Sequence, residues 1–152
     1  YAAPNVIDYC SGYLHFLSFE KHPHPVYEPF DLFGLTFTFF EVNHPPVYTC
    51  GLLLEHDDVT IAYTSDTRED IPDESRDLLK EADIDLLFLD AIAPAGYSIT
   101  KHMNYAEAVR FARDVGEGLP VRPHESPGPA GYAARRIRYG DVLLVITRLF
   151  LF

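Results

Sequence analysis

Tryptophan is absent from this chain, methionine occurs once and cysteine twice in 152 residues. Two cysteines, Cys10 and Cys50, cannot build a disulfide framework, and they read as reduced thiols of a cytoplasmic protein. No apolar run reaches the roughly 18 residues that a membrane-spanning helix needs. The opening YAAPNVIDYC has neither the basic nor the apolar region of a secretory signal. Positive charge is scarce as well: 12 Lys and Arg stand against 23 Asp and Glu, a formal net charge of −11. A nucleic-acid partner is therefore disfavoured, because phosphate contacts need a basic face. The imbalance is uneven. Residues 1–118 hold 21 acids against 7 bases, whereas residues 119–152 hold 2 against 5.

A hydrophobic share of 47% with 14% aromatics is enough for one folded core, and the length suits a single domain over residues 1–152. Asn5 is a candidate cap for a short amphipathic helix reaching about Phe19. The proline-rich stretch EKHPHPVYEPF then reads as a loop or sheet edge. Three strand-like runs follow, LFGLTFTFFEV (32–42), VYTCGLLLE (47–55) and VTIAYT (59–64), the last two joined by a turn at His56-Asp57-Asp58. IPDESRDLLKEAD (71–83) has a helical pattern with acids in its first turn. IDLLFLDA (84–91) is continuously apolar, as in a strand buried on both faces. Asn104 with Glu107 forms a capping box that opens the helix YAEAVRFARDVG. This order implies an α/β layered domain. Residues 119–152 form an atypical tail, with four prolines between positions 120 and 129.

Among seven histidines, His22 and His24 are flanked by prolines that give them no reason to converge. His15 reads as a packing residue and His56 as part of a turn. His44, Asp66, His102 and His124 differ, since each stands where a strand or extended segment gives way to a loop. Such polar residues either cap their loops or gather at one site, because ligands of layered α/β folds bind at strand-end loops. Imidazole and carboxylate together are donors suited to Zn²⁺, Mn²⁺ or Fe²⁺, and a carboxylate can bridge two ions.

The run FGLTFTFFEVNHPPVYTCGLLLEHDDVTIAYTSDT resembles the third-histidine and bridging-aspartate region of metallo-β-lactamase-fold hydrolases. ADIDLLFLDAIAP, KHMNYAEAVRFARDVG and PHESP resemble further motifs of that family, in order, over roughly residues 30–127. The His102 motif resembles the phosphodiesterase branch, which includes ribonuclease Z and a cyclic-phosphate dihydrolase. The resemblance implies a partial αββα sandwich whose mixed sheet carries helices on one face. It implies that His44 ligates one of two divalent ions (Zn or Mn, or Fe), that Asp66 bridges them and that His124 ligates the second. A metal-bridging hydroxide would attack a small linear or cyclic phosphate ester, with His102 protonating the leaving oxygen.

The family's HxHxDH signature is not in the sequence, and YAAP resembles the strand that follows it. The resemblance thus implies an incomplete metallo-hydrolase domain beginning downstream of that motif. Three readings stand beside one another. The first is a phosphodiesterase acting on a small substrate, with a homodimer as a compatible state. The second is a ribonuclease Z-like nuclease, and the third a non-catalytic remnant or interaction module.

Overall fold

Proline is pre-set for a helical first turn, and Pro4 opens helix α1 (Pro4–Tyr13), with Ala3 at the cap position. The computed structural model describes residues 1–18 and 20–116 of the chain. Asn5 is therefore inside the helix and not its cap. The helix also stops short of Phe19, which lies outside the described residues. No residue of α1 is buried, so no packing extends it beyond what local propensity supports.

The sheet contains β1 (Phe30–Leu32), β2 (Leu35–Val42), β3 (Thr49–His56), β4 (Val59–Tyr63) and β5 (Leu86–Phe88), in the spatial order β1-β2-β3-β4-β5. The first three pairings are antiparallel and β4 runs parallel to β5. Helix α2 (Asp73–Glu81) lies between β4 and β5 in the chain, and α3 (Tyr105–Val115) follows β5. This is a mixed α/β architecture, as expected.

One expected strand is in fact two. The stretch 32–42 breaks at Phe33 and Gly34, whose φ angles of 55° and 81° form a two-residue hairpin that pairs Leu32 with Leu35. Glycine enters this region freely, but a phenylalanine there is an outlier that propensity alone does not suggest. The second hairpin falls where expected, with Asp57 at φ 49° and His56 paired with Val59.

The two-residue period of the strands places Phe40, Leu53, Ala62 and Leu87 on one face of the sheet. They form the core together with Leu79 of α2 and Ala108, Phe111, Ala112 and Val115 of α3. The α3 positions recur at the spacing of one helical stripe, so that helix lies along this face. Gly51 sits opposite Phe40, whose ring crosses the strand so closely that a Cβ on Gly51 would meet it at 2.2 Å. Across the other face, Phe37, Phe39, Leu52, Leu54, Ile61 and Phe88 remain partly exposed.

The helices are tied down by polar contacts. The buried Ser75 of α2 donates to the Glu41 carbonyl at 2.7 Å, leaving its oxygen to accept from the Tyr27 phenol at 2.9 Å. Between α2 and α3, Asp114 pairs with Arg76 and with Lys80, and the Arg76 guanidinium lies 5.5 Å from the Phe111 ring centre. Asn104 caps α3 as predicted, its side chain accepting from the Glu107 N–H at 3.0 Å while Glu107 accepts from the Asn104 N–H at 2.8 Å. Among the described residues no helix is long and apolar enough to cross a membrane.

The topology has one consequence for function. Because β2 and β4 both run antiparallel to β3, and β5 runs parallel to β4, these three strands all end at the same rim.

Candidate metal centre

His44 follows the end of β2 by two residues and Asp66 follows the end of β4 by three, so both project from that rim. Ser65, at φ 57°, turns the chain just ahead of Asp66. His102 arrives from the segment between β5 and α3. Main-chain bonds from Ile92 N–H to the Met103 carbonyl (3.2 Å) and from Tyr105 N–H to the Ala93 carbonyl (2.9 Å) close this segment. Met103, the residue after His102, is fully buried.

The result is convergence. One donor atom from each of His44, Asp66 and His102 lies within 4.8 Å of the others. The two imidazoles meet edge to face with centroids 4.8 Å apart. The Nε2 of His44 is buried and has no hydrogen-bond partner among the described residues. An orphaned buried nitrogen is costly, and a cation is the partner that a neutral imidazole lone pair accepts most readily. Two imidazoles and an exposed carboxylate are also the donor types that borderline divalent ions select. These residues therefore fit a divalent metal.

A residue not singled out from the sequence completes the arrangement. Asp90 stands two residues past β5 and is buried. Its Oδ2 accepts from the Thr67 N–H at 2.9 Å and lies 2.7 Å from His102 Nδ1. Burial pushes the Asp90 carboxyl above its ordinary range, while the bonds from Thr67 and His102 pull the other way. With Nδ1–H donated to this carboxylate, His102 keeps Nε2 as its available nitrogen, which is how carboxylates commonly fix a metal-site histidine. The signal was present in the sequence. Asp90 ends an apolar run just as His44 follows one, but the continuous apolar pattern of 84–91 assigns it to the strand.

The other histidines lie elsewhere. His24 stacks on Phe30 at 3.7 Å, His22 stacks on Tyr1 at 4.4 Å, and His56 sits at the hairpin tip near Asp57. His15 contacts the Gly12 carbonyl. His124, expected as a further ligand, lies outside the described residues.

Two imidazoles and a carboxylate at one rim of a mixed sheet, backed by a buried carboxylate, form a donor set suited to a divalent metal. Comparison with known proteins agrees. The family profile of the beta-lactamase superfamily domain matches residues 1–124, and the chain belongs to that family. No curated protein matches it. Among solved structures it is similar to a diphosphatase from the PhnP family, with 25% identity and a TM-score of 0.59 over 76% of this chain and 42% of that one. It is also similar to the metallo-beta-lactamase fold protein YhfI from Bacillus subtilis, at 23% identity and TM-score 0.54, over 69% of this chain and 44% of the other. A metallo hydrolase from the archaeon Ignicoccus hospitalis shares the fold at 11% identity, with a TM-score of 0.57 over 76% and 48% of the two chains. The chain thus spans less than half the length of these relatives.

Proposed function

We propose that this chain carries part of the metal centre of a metal-dependent phosphodiesterase that hydrolyses a small linear or cyclic phosphate ester. The observation that carries this reading is the convergence of His44, Asp66 and His102, with a buried His44 Nε2 that has no hydrogen-bond partner among the described residues. The pairing of His102 with Asp90 and the similarity to a diphosphatase of the PhnP family support the choice of branch.

His44, Asp66 and His102 would hold the ion, with His124 proposed from sequence as a further ligand. A divalent ion bound there supplies Lewis-acid stabilisation of phosphoryl charge. The chain's own residues do the rest. Asp66, exposed at the rim, can approach both ion and substrate. Asp90 holds the Nδ1 proton of His102 and so fixes the ring's tautomer and direction. Delivery of a proton from His102 to a departing alkoxide would use the same Nε2 and is therefore an alternative to ligation, distinguished by whether His102→Ala loses metal affinity or turnover alone.

Among the described residues three donors converge, and a non-catalytic member of the same family is the second reading. A ribonuclease Z-like activity is opposed by the net charge of −11, which repels a polyphosphate substrate. The test is turnover of bis(p-nitrophenyl) phosphate by the purified chain with and without Mn²⁺ or Zn²⁺. Metal-dependent turnover abolished by His102→Ala supports the phosphodiesterase. Metal binding without turnover selects the non-catalytic reading, and hydrolysis confined to RNA selects the nuclease.

A further inference from the structure

Thr67 is fully buried at the rim, directly after Asp66, and its polar atoms reach both neighbouring strand ends. Its hydroxyl oxygen accepts from the Asn43 N–H at 3.1 Å and its hydroxyl proton goes to the Arg68 carbonyl at 2.9 Å. The Arg68 N–H in turn donates to the Asn43 carbonyl at 2.9 Å. Asn43, the residue before His44, is thereby gripped at both of its main-chain polar groups. On the other side, the Thr67 N–H donates to Asp90 Oδ2 at 2.9 Å, the same oxygen that lies 2.7 Å from His102 Nδ1.

We propose that Thr67 is a positioning residue that sets the mutual geometry of His44, Asp66 and His102. It adjoins the first-named carboxylate in sequence, holds the residue before His44 through its side chain, and holds the acid behind His102 through its backbone. The three donors come from separate segments, after β2, after β4 and just before α3, and Thr67 is a buried cross-link between them. Threonine suits the role because its branched Cβ restricts χ1 and keeps the hydroxyl aimed at Asn43. The inference rests on the proposed metal centre, yet it concerns side-chain geometry that is measurable without metal.

Thr67→Val keeps the shape and the backbone bond to Asp90 but removes the acceptor for Asn43. It therefore loosens the His44 arm alone, leaving the Arg68 N–H bond to the Asn43 carbonyl in place. Two readouts apply: the nuclear Overhauser contact between the His44 and His102 rings in metal-free protein, and Zn²⁺ affinity by calorimetry. In Thr67→Val the ring contact is expected to weaken measurably and the affinity to fall about tenfold, as for lost supporting bonds at metal sites. Thr67→Ser, which keeps the hydroxyl, is expected to match the parent in both. In a His44→Ala background, Thr67→Val should produce no further loss, because its effect passes through His44.

A merely structural threonine would lower the melting temperature of Thr67→Val and leave ring contact and affinity intact; that result overturns the proposal. An equal further loss in the His44→Ala background overturns it too. Should Thr67→Val not fold, Thr67→Cys, similar in volume but a weak acceptor, carries the same expectation. If the parent chain binds no Zn²⁺, the proposed function fails, while the ring contact still decides the role of Thr67.

Discussion

His102 Nδ1 lies 2.7 Å from Oδ2 of Asp90, a carboxylate with only 3% of its surface exposed. A buried acid group is expensive unless its hydrogen bonds are made, and here both bonds to Oδ2 serve the rim: one fixes His102, the other the loop after Asp66. Two candidate ligands are thus tied to one side chain, whose Oδ1 is buried and has no hydrogen-bond partner among the described residues.

Asp90→Asn keeps the shape and removes the charge. Its expected effect is a loss of Zn²⁺ or Mn²⁺ affinity of about tenfold to a hundredfold, as for other carboxylates behind metal-site histidines. Calorimetric titration of both proteins checks it. Unchanged affinity would show that the Asp90 charge does not support the site.

Gly51→Ala tests the sheet beneath the rim. The new methyl would lie 2.2 Å from the buried Phe40 ring, which has core on its other side and little room to give. Overpacking of this kind costs about 1–3 kcal/mol, read as a lower midpoint of chemical denaturation. An unshifted midpoint would mean that Phe40 repacks freely.

Phe33→Asn should act in the opposite direction. Phe33 is 92% exposed and holds a φ of 55°, a left-handed conformation that asparagine tolerates better than a bulky aromatic. A gain of about 0.5–1 kcal/mol is expected, in the range of other compatible turn substitutions. A lower melting temperature would show that the phenyl ring makes a contribution its exposure conceals.

Asp114 gives a pH prediction. The hydrogen bond from Lys80, with the Arg76 guanidinium beside it, holds its carboxyl below the ordinary value of 3.8. A depressed folded-state pKa stabilises the fold above 3.8, and that contribution is lost as the pH falls from there through the lower folded value. Asp114→Asn is therefore expected to lower stability at neutral pH and to flatten the acid limb of the stability profile. The pair is solvent-exposed, so the effect is small. Parallel profiles for the two proteins would rule it out.

Much of this was legible in the sequence where local chemistry and tertiary structure agree. The capping box at Asn104 and Glu107, the strands around the Asp57 turn and the rim positions of His44, Asp66 and His102 follow from pattern and family resemblance. The β1–β2 hairpin was hidden because its turn uses a phenylalanine at positive φ, against propensity, so the run looked continuous. The first helix departs from its sequence pattern because Pro4 occupies its opening turn and leaves Asn5 inside the helix. Asp90 and Thr67 were illegible for a different reason. Their roles depend on contacts with Asn43 and His102, 24 and 12 residues away, which exist only once three strands end at one rim.

The most direct measurement is a Zn²⁺ and Mn²⁺ titration of the purified chain beside His44→Ala, Asp66→Asn and His102→Ala. A metal centre built from these residues predicts saturable binding by the parent and a marked loss of affinity in all three variants. No binding by the parent, or binding that survives all three substitutions, would contradict it.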